Sequence, residues 1–202
     1  MVHRLPFAAV LSLTLGASAP LAAQLDFTFR AGASTLRGFA RSSEAADRPE
    51  LRPSANSDVA GSIGYDRGPW RIAGLIRSTS ADLVIVGADA GVSSNDQMLG
   101  TTFGVEIGRR LVGSAERPSA HLLVGAGYEH WSFRDAIGDD RSKLQFSAAL
   151  EGNVPFSSAW SGVVRLDGAL GKSPFRADDL PEEFERRTAR RGSMHLGLRW
   201  GR

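Results

Sequence analysis

What most constrains this chain is strict alternation in its last residues, with no long apolar run beyond the first two dozen residues to accompany it. Met194, Leu196, Leu198 and Trp200 interleave with His195, Gly197, Arg199 and Gly201. A strand built from this segment is apolar on one face and polar on the other. The opposite end follows a different pattern. A short polar, positively charged start (His3, Arg4) leads into an apolar run through Phe7, Val10, Leu11, Leu13 and Leu15, and then a small-residue exit at Leu21-Ala22-Ala23 before Gln24. This predicts a secretory signal peptide over 1–23, cleaved near Ala23, and a single barrel or sandwich domain over 24–202. Its removal leaves about 180 of the 202 residues, enough for one domain.

Composition narrows the alternatives. The chain has no cysteine, so an exported domain of this size has no disulfide staple and no thiolate for metal binding or catalysis. The formal net charge of +2 falls to about +1 once Arg4 leaves, and the charges are interspersed, so no basic stripe suggests nucleic acid. Beyond the leader, no segment approaches the roughly 18 apolar residues of a membrane-spanning helix. Any membrane span must be made of strands, and in hydrocarbon only a closed barrel satisfies strand backbones.

Eight alternating segments are predicted: Leu25 to Phe39, Asp58 to Asp66, Trp70 to Ser78, Met98 to Leu111, Ser119 to Phe133, Lys143 to Val154, Trp160 to Lys172 and Gly192 to Gly201. Tight, turn-rich breaks follow the second, fourth and sixth, at Asp66 to Pro69, Val112 to Pro118 and Pro155 to Ala159. The other connections, 40–57, 79–97, 135–142 and 173–191, are mostly longer and polar. Short turns at one end and long loops at the other are the layout of an all-β, eight-stranded antiparallel up-and-down transmembrane barrel in an outer membrane. The apolar run Leu83-Val84-Ile85-Val86 falls inside a predicted loop and either extends the third strand or shifts its boundary.

In this layout and strand pattern, from about Leu25 to the end, the chain resembles the small eight-stranded bacterial outer membrane barrels, the class of the outer membrane protein A transmembrane domain and its X- and W-type relatives. The resemblance implies a location in the bacterial outer membrane, and outer membrane lipids, lipopolysaccharide and, through the C-terminal strand, the barrel assembly machinery as partners. It also implies a monomer without cofactor or nucleic acid. Such strands commonly finish on an aromatic residue, whereas here Gly201 and Arg202 follow Trp200.

The polar parity of the strands carries Arg30, Arg71, Arg165 and Arg199 together with Glu106, Glu129, Glu151 and Asp167. If that parity faces the interior, these charges must pair or draw in water, which predicts a salt-bridge network plugging or gating the lumen. Gly32, Gly64, Gly104, Gly125, Gly127 and Gly197 share the parity and would leave room for the long side chains. On the apolar parity, Tyr65, Trp70, Trp160 and Trp200 fall at the short-turn end and Tyr128 at the other, where aromatic girdles are built; Trp131 and Phe133 lie nearby on the opposite parity.

The preferred reading is a non-enzymatic outer membrane barrel with a structural or surface-interaction role and a plugged, charged lumen. The rival is a secreted or periplasmic soluble barrel of lipocalin type, with the faces exchanged and an apolar ligand inside. A minor alternative rests on His130-Trp131-Ser132, which slightly resembles the lipid A 3-O-deacylase barrels. That resemblance would make Ser132 a nucleophile and His130 its base, with Asp135, Asp139 and Asp140 nearby, but Phe133 stands where that family continues with Asn. A girdle histidine is the ordinary explanation. His121 and His195 show no metal-ligand spacing. Val124-Gly125-Ala126-Gly127 lacks the third glycine and the helix of a dinucleotide fingerprint. In the last long loop, Asp179 and Glu182 read as a capped helix start running on to Arg186, Arg187, Arg190 and Arg191, arginines that could engage lipopolysaccharide phosphates or be simply solvated.

Overall fold

The computed structural model describes residues 25–43, 49–54, 56–86, 93–133, 141–175, 180, 182 and 184–201. The expected leader, and Asp135, Asp139, Asp140, Asp178 and Asp179, lie outside them. Eleven strands occur among the described residues: β1 (Leu25–Arg37), β2 (Ala40–Ser42), β3 (Glu50–Pro53), β4 (Asn56–Arg67), β5 (Trp70–Val86), β6 (Ser93–Val112), β7 (Ser119–Phe133), β8 (Arg141–Pro155), β9 (Trp160–Lys172), β10 (Phe184–Arg186) and β11 (Thr188–Trp200). Eight of them, β1, β4, β5, β6, β7, β8, β9 and β11, pair antiparallel with both neighbours and close into a barrel. First and last staves, β1 and β11, pair with each other, registered from Phe27↔Trp200 to Arg37↔Arg190. Closure leaves no long open edge, which is what a strand needs where water cannot take its hydrogen bonds.

Tight turns close one end. Arg67 and Trp70 are register partners across Gly68, which takes a left-handed φ of 60° that suits glycine. The Ser157 hydroxyl accepts hydrogen bonds from the Ala159 and Trp160 amides, at 3.3 and 3.0 Å, and so fixes the turn before β9.

At the opposite end the sheet runs further than the alternation predicts. The expected third strand, Trp70 to Ser78, continues to Val86, and the Leu83–Val86 run pairs with β3 (Glu50↔Val86 to Pro53↔Leu83). β2 pairs with β3 and β10 with β2, so 40–42, 50–53 and 184–186 are strands where loops were expected. The helical reading of the last long loop is overturned from Phe184 to Arg191, while its expected start at Asp179 lies outside the described residues. Phe184–Arg186 and Thr188–Trp200 are extended, and the latter holds thirteen register partners on β9. A capping pattern contributes about 1 kcal/mol locally, less than a full ladder of hydrogen bonds and packed side chains.

The alternation sorts side chains cleanly by face. Phe29 and Val105 point outward and are 63% and 65% exposed, while Arg30 and Glu106 next to them point inward and are 2% and 4% exposed. The lipocalin-type alternative, in which the apolar parity faces in, is thereby corrected: apolar residues form the outer surface and charged ones the interior. Among the described residues a small apolar core cluster sits at the long-loop mouth. Leu36, Phe39, Leu83, Met98, Trp131 and Phe175 are buried there together, with Leu51, Leu180 and Phe184 packed against them. Phe39 meets Trp131 edge-on, with ring centroids 6.0 Å apart, and Phe175 at 6.2 Å.

Candidate functional site

The lumen is built from the inward positions of all eight staves, so residues far apart in sequence converge there. Near the short-turn end, β1 presents Asp26 and β5 presents Arg71. Arg71 donates to both carboxylate oxygens of Asp26, at 2.6 and 2.7 Å, and also to Asp66 at 3.0 Å. Arg199, from β11, adds a contact to Asp26 at 3.3 Å and donates its Nε–H to the Thr28 hydroxyl at 3.1 Å.

Glu151 is the hub of the middle layer. It accepts from Arg30 at 2.8 Å and from Arg199 by a short hydrogen bond, with Arg165 at 3.6 Å. Arg165 in turn grips Glu106 with both terminal nitrogens and lies 3.6 Å from Asp167. Asp167 accepts from Arg77 at 2.6 Å. His195 stands between two carboxylates, Asp167 at 3.2 Å and Asp58 at 3.5 Å. Higher still, Arg191 bridges Glu129 at 2.8 Å and Gln145 at 3.1 Å, and Gln145 donates to Thr102.

Six arginines (30, 71, 77, 165, 191, 199) and six carboxylates (26, 58, 106, 129, 151, 167) thus converge here, all of them buried and with formal charges that cancel; five of the carboxylates meet arginines, and Asp58 meets His195. Arg141 is buried as well. Isolated charges in so narrow a space would be costly, and the charge-assisted hydrogen bonds that link these groups offset part of that cost. The inward glycines supply room. A Cβ on Gly64 would overlap the Arg71 guanidinium, and one on Gly197 would lie 2.6 Å from Arg30 Cγ and closer still to the Phe29 carbonyl.

All eight charged residues expected in the lumen, Arg30, Arg71, Glu106, Glu129, Glu151, Arg165, Asp167 and Arg199, lie within this set. Sequence reasoning did not include Asp26, Asp58, Arg77, Arg191 and His195 in it. Their signal was present in part: Asp26 shares parity with Arg30, and Arg77 with Arg71. Arg191 was read as the end of a basic loop, because the strand that turns it inward begins earlier than expected, at Thr188.

The expected girdle residues Trp70, Trp160, Trp200 and Tyr128 are on the outer surface, while Tyr65 is half-buried. Trp160 and Trp200 are register partners, the Phe27 ring lies 5.8 Å from that of Trp200, and Arg109 stacks over Trp70 at 5.8 Å. Trp131 points inward and is fully buried, so it belongs to the mouth core. At the sequence suggesting a hydrolase, His130 Nδ1 is 2.8 Å from the Ser142 hydroxyl on the neighbouring strand.

These features define an antiparallel, eight-stranded barrel of the small outer membrane type, apolar outside and charged inside. No family model matches the chain, and no curated protein does. Solved structures do. The chain is similar to Neisserial surface protein A (12% identity, TM-score 0.55, covering 87% of this chain and 97% of that one) and to the outer membrane protein OprG from Pseudomonas aeruginosa (9%, 0.55, 87% and 94%). The outer membrane protease OmpT from Escherichia coli is also similar (9%, 0.53, 89% and 97%). At these identities the likeness is one of fold.

Proposed function

We propose that the protein resides in a bacterial outer membrane as a non-enzymatic barrel whose lumen is sealed by its own charges, serving a structural or surface-interaction role. The observation that carries this reading is the inversion of faces. A continuous belt of exposed Phe, Leu, Val and Ile surrounds an interior of paired Arg, Asp and Glu. Soluble monomers rarely expose apolar patches beyond a few hundred Å², whereas a bilayer requires a whole band of them. Two of the similar structures are outer membrane proteins by name, which supports the location, and OmpT's protease activity belongs to OmpT. The lumen network supports the sealed interior, because an eight-stranded barrel is just wide enough for its own side chains to fill. The test is fractionation of cells expressing the full chain. A heat-modifiable band in the outer membrane fraction is expected, and a soluble periplasmic product would overturn the proposal.

A further inference from the structure

The outer surfaces of β1, β11 and β9 change character from bottom to top. Phe27 and Trp200 are register partners at the short-turn end; ten residues along each strand (27 to 37, 200 to 190), Arg37 and Arg190 are register partners too. Ten residues rise roughly 33 Å along a strand, or about 25 Å along the axis of a barrel with the usual tilt, which is the height of the apolar band in outer membrane barrels. Arg37 and Arg190 therefore stand at the level where the hydrocarbon of the outer leaflet ends.

Both arginines are exposed, and like charges placed directly opposite on one face of a sheet destabilise it. The described carboxylates nearby are engaged elsewhere. Glu185 pairs with Arg187 at 2.8 Å, while Glu50 contacts Arg41 at 3.7 Å and accepts the Gly38 amide at 2.6 Å. Neither Arg37 nor Arg190 has an ion-pair partner among the described residues. They share with Arg41, Arg187, Glu50 and Glu185 the lining of a hollow of about 680 Å³. Among the described residues, four arginines against two glutamates give the lining of this hollow a charge of +2, and exposed Lys172, the register partner of Thr188, adds a further positive charge beside it.

We propose that this hollow docks the phosphate groups of an outer-leaflet glycolipid, with Arg37 and Arg190 as the paired donors. The inference rests on the outer membrane reading above. A phosphate between two guanidiniums replaces their repulsion with charge-assisted, potentially bidentate hydrogen bonds, at the depth where lipid phosphates lie.

The test uses the full-length barrel folded in dodecylmaltoside micelles, with folding read by the heat-modifiable gel shift. The probes are a diphosphorylated glucosamine-disaccharide lipid, the same lipid without phosphates, and inorganic phosphate, titrated calorimetrically. The phosphorylated lipid is expected to bind about tenfold or more tighter than its dephosphorylated form, the contribution of one charge-assisted hydrogen bond. The Arg37→Gln/Arg190→Gln variant should lose that preference, and Arg109→Gln at the opposite rim should keep it. Equal binding of the two lipids, or an unchanged preference in the double variant, overturns the site; inorganic phosphate binding as tightly as the lipid overturns the lipid assignment. A chain that folds and reaches the outer membrane yet shows no preference refutes this site alone, while a chain absent from the outer membrane refutes the reading beneath it.

Discussion

Removing Glu151 is the most informative perturbation of the lumen. Its side chain is 1% exposed and contacts three guanidiniums, those of Arg30, Arg199 and Arg165. Arg199 and Arg165 keep other carboxylates, Asp26 for the first and Glu106 with Asp167 for the second. Arg30 has no other ion-pair partner among the described residues. Glu151→Ala thus strands one fully buried cation and weakens two more. Breaking a buried pair by removing one partner costs about 3 to 5 kcal/mol, and this site belongs at the upper end. Glu129 is the internal control: its side chain is 10% exposed and it pairs with Arg191, which also holds Gln145. Glu129→Ala should cost less, toward 3 kcal/mol or below where water reaches the gap. The assay is urea unfolding of the barrel in phospholipid vesicles, followed by tryptophan emission. Arg30→Ala added to Glu151→Ala should recover part of the loss, giving a coupling energy of about 1 to 3 kcal/mol in a double-mutant cycle. If Glu151→Ala costs under about 1 kcal/mol and shows no coupling to Arg30, the charges are solvated and the network reasoning fails.

Replacing lipid-facing Leu166 by Arg should cost about 2 to 4 kcal/mol, and Leu170→Arg, nearer the upper rim and the register partner of Arg190, much less; equal costs measured by the same unfolding assay would argue against a bilayer around this face. Gly197→Ala forces a Cβ against the Phe29 carbonyl and the Arg30 side chain, and should destabilise by about 1 to 3 kcal/mol in that assay; no loss would mean the lumen is looser than described. Trp131→Ala should cost about 3 to 5 kcal/mol because it empties the centre of the mouth core; a value within error of zero would show that this core contributes nothing. Protease added to intact cells should cleave within the connections at 43–49 or 173–183, between the paired strands, and spare the turns around Arg67, Arg117 and Ser157; the reverse pattern would invert the topology.

The barrel was legible because period-2 alternation persists wherever one face meets an apolar surround and the other a polar interior. The limits of the staves were less so, for a physical reason. Above the belt the interior itself turns apolar, so Leu83 and Leu36 continue the inward parity with hydrophobic side chains and the contrast between faces fades. The strand extensions at Leu83–Val86, Glu50–Pro53 and Phe184–Arg186 are therefore fixed by partners across the sheet that no local pattern displays. The basic run 186–191 hides its division in the same way. Arg186, Arg187 and Arg190 are exposed, while Arg191 turns into the lumen to meet Glu129. His195 lacked any spacing signal, because its two carboxylate neighbours come from β4 and β9 and meet it only when the barrel closes.

The sealed lumen is tested most directly by conductance. Purified barrel reconstituted into planar bilayers should show little or no steady current, because Arg30, Arg165 and Arg199 are hydrogen-bonded to Glu106 and Glu151 across an interior that in an eight-stranded barrel is only about wide enough for side chains. Large, stable, salt-dependent channels in the unmodified protein would contradict the account and assign the barrel to passive transport.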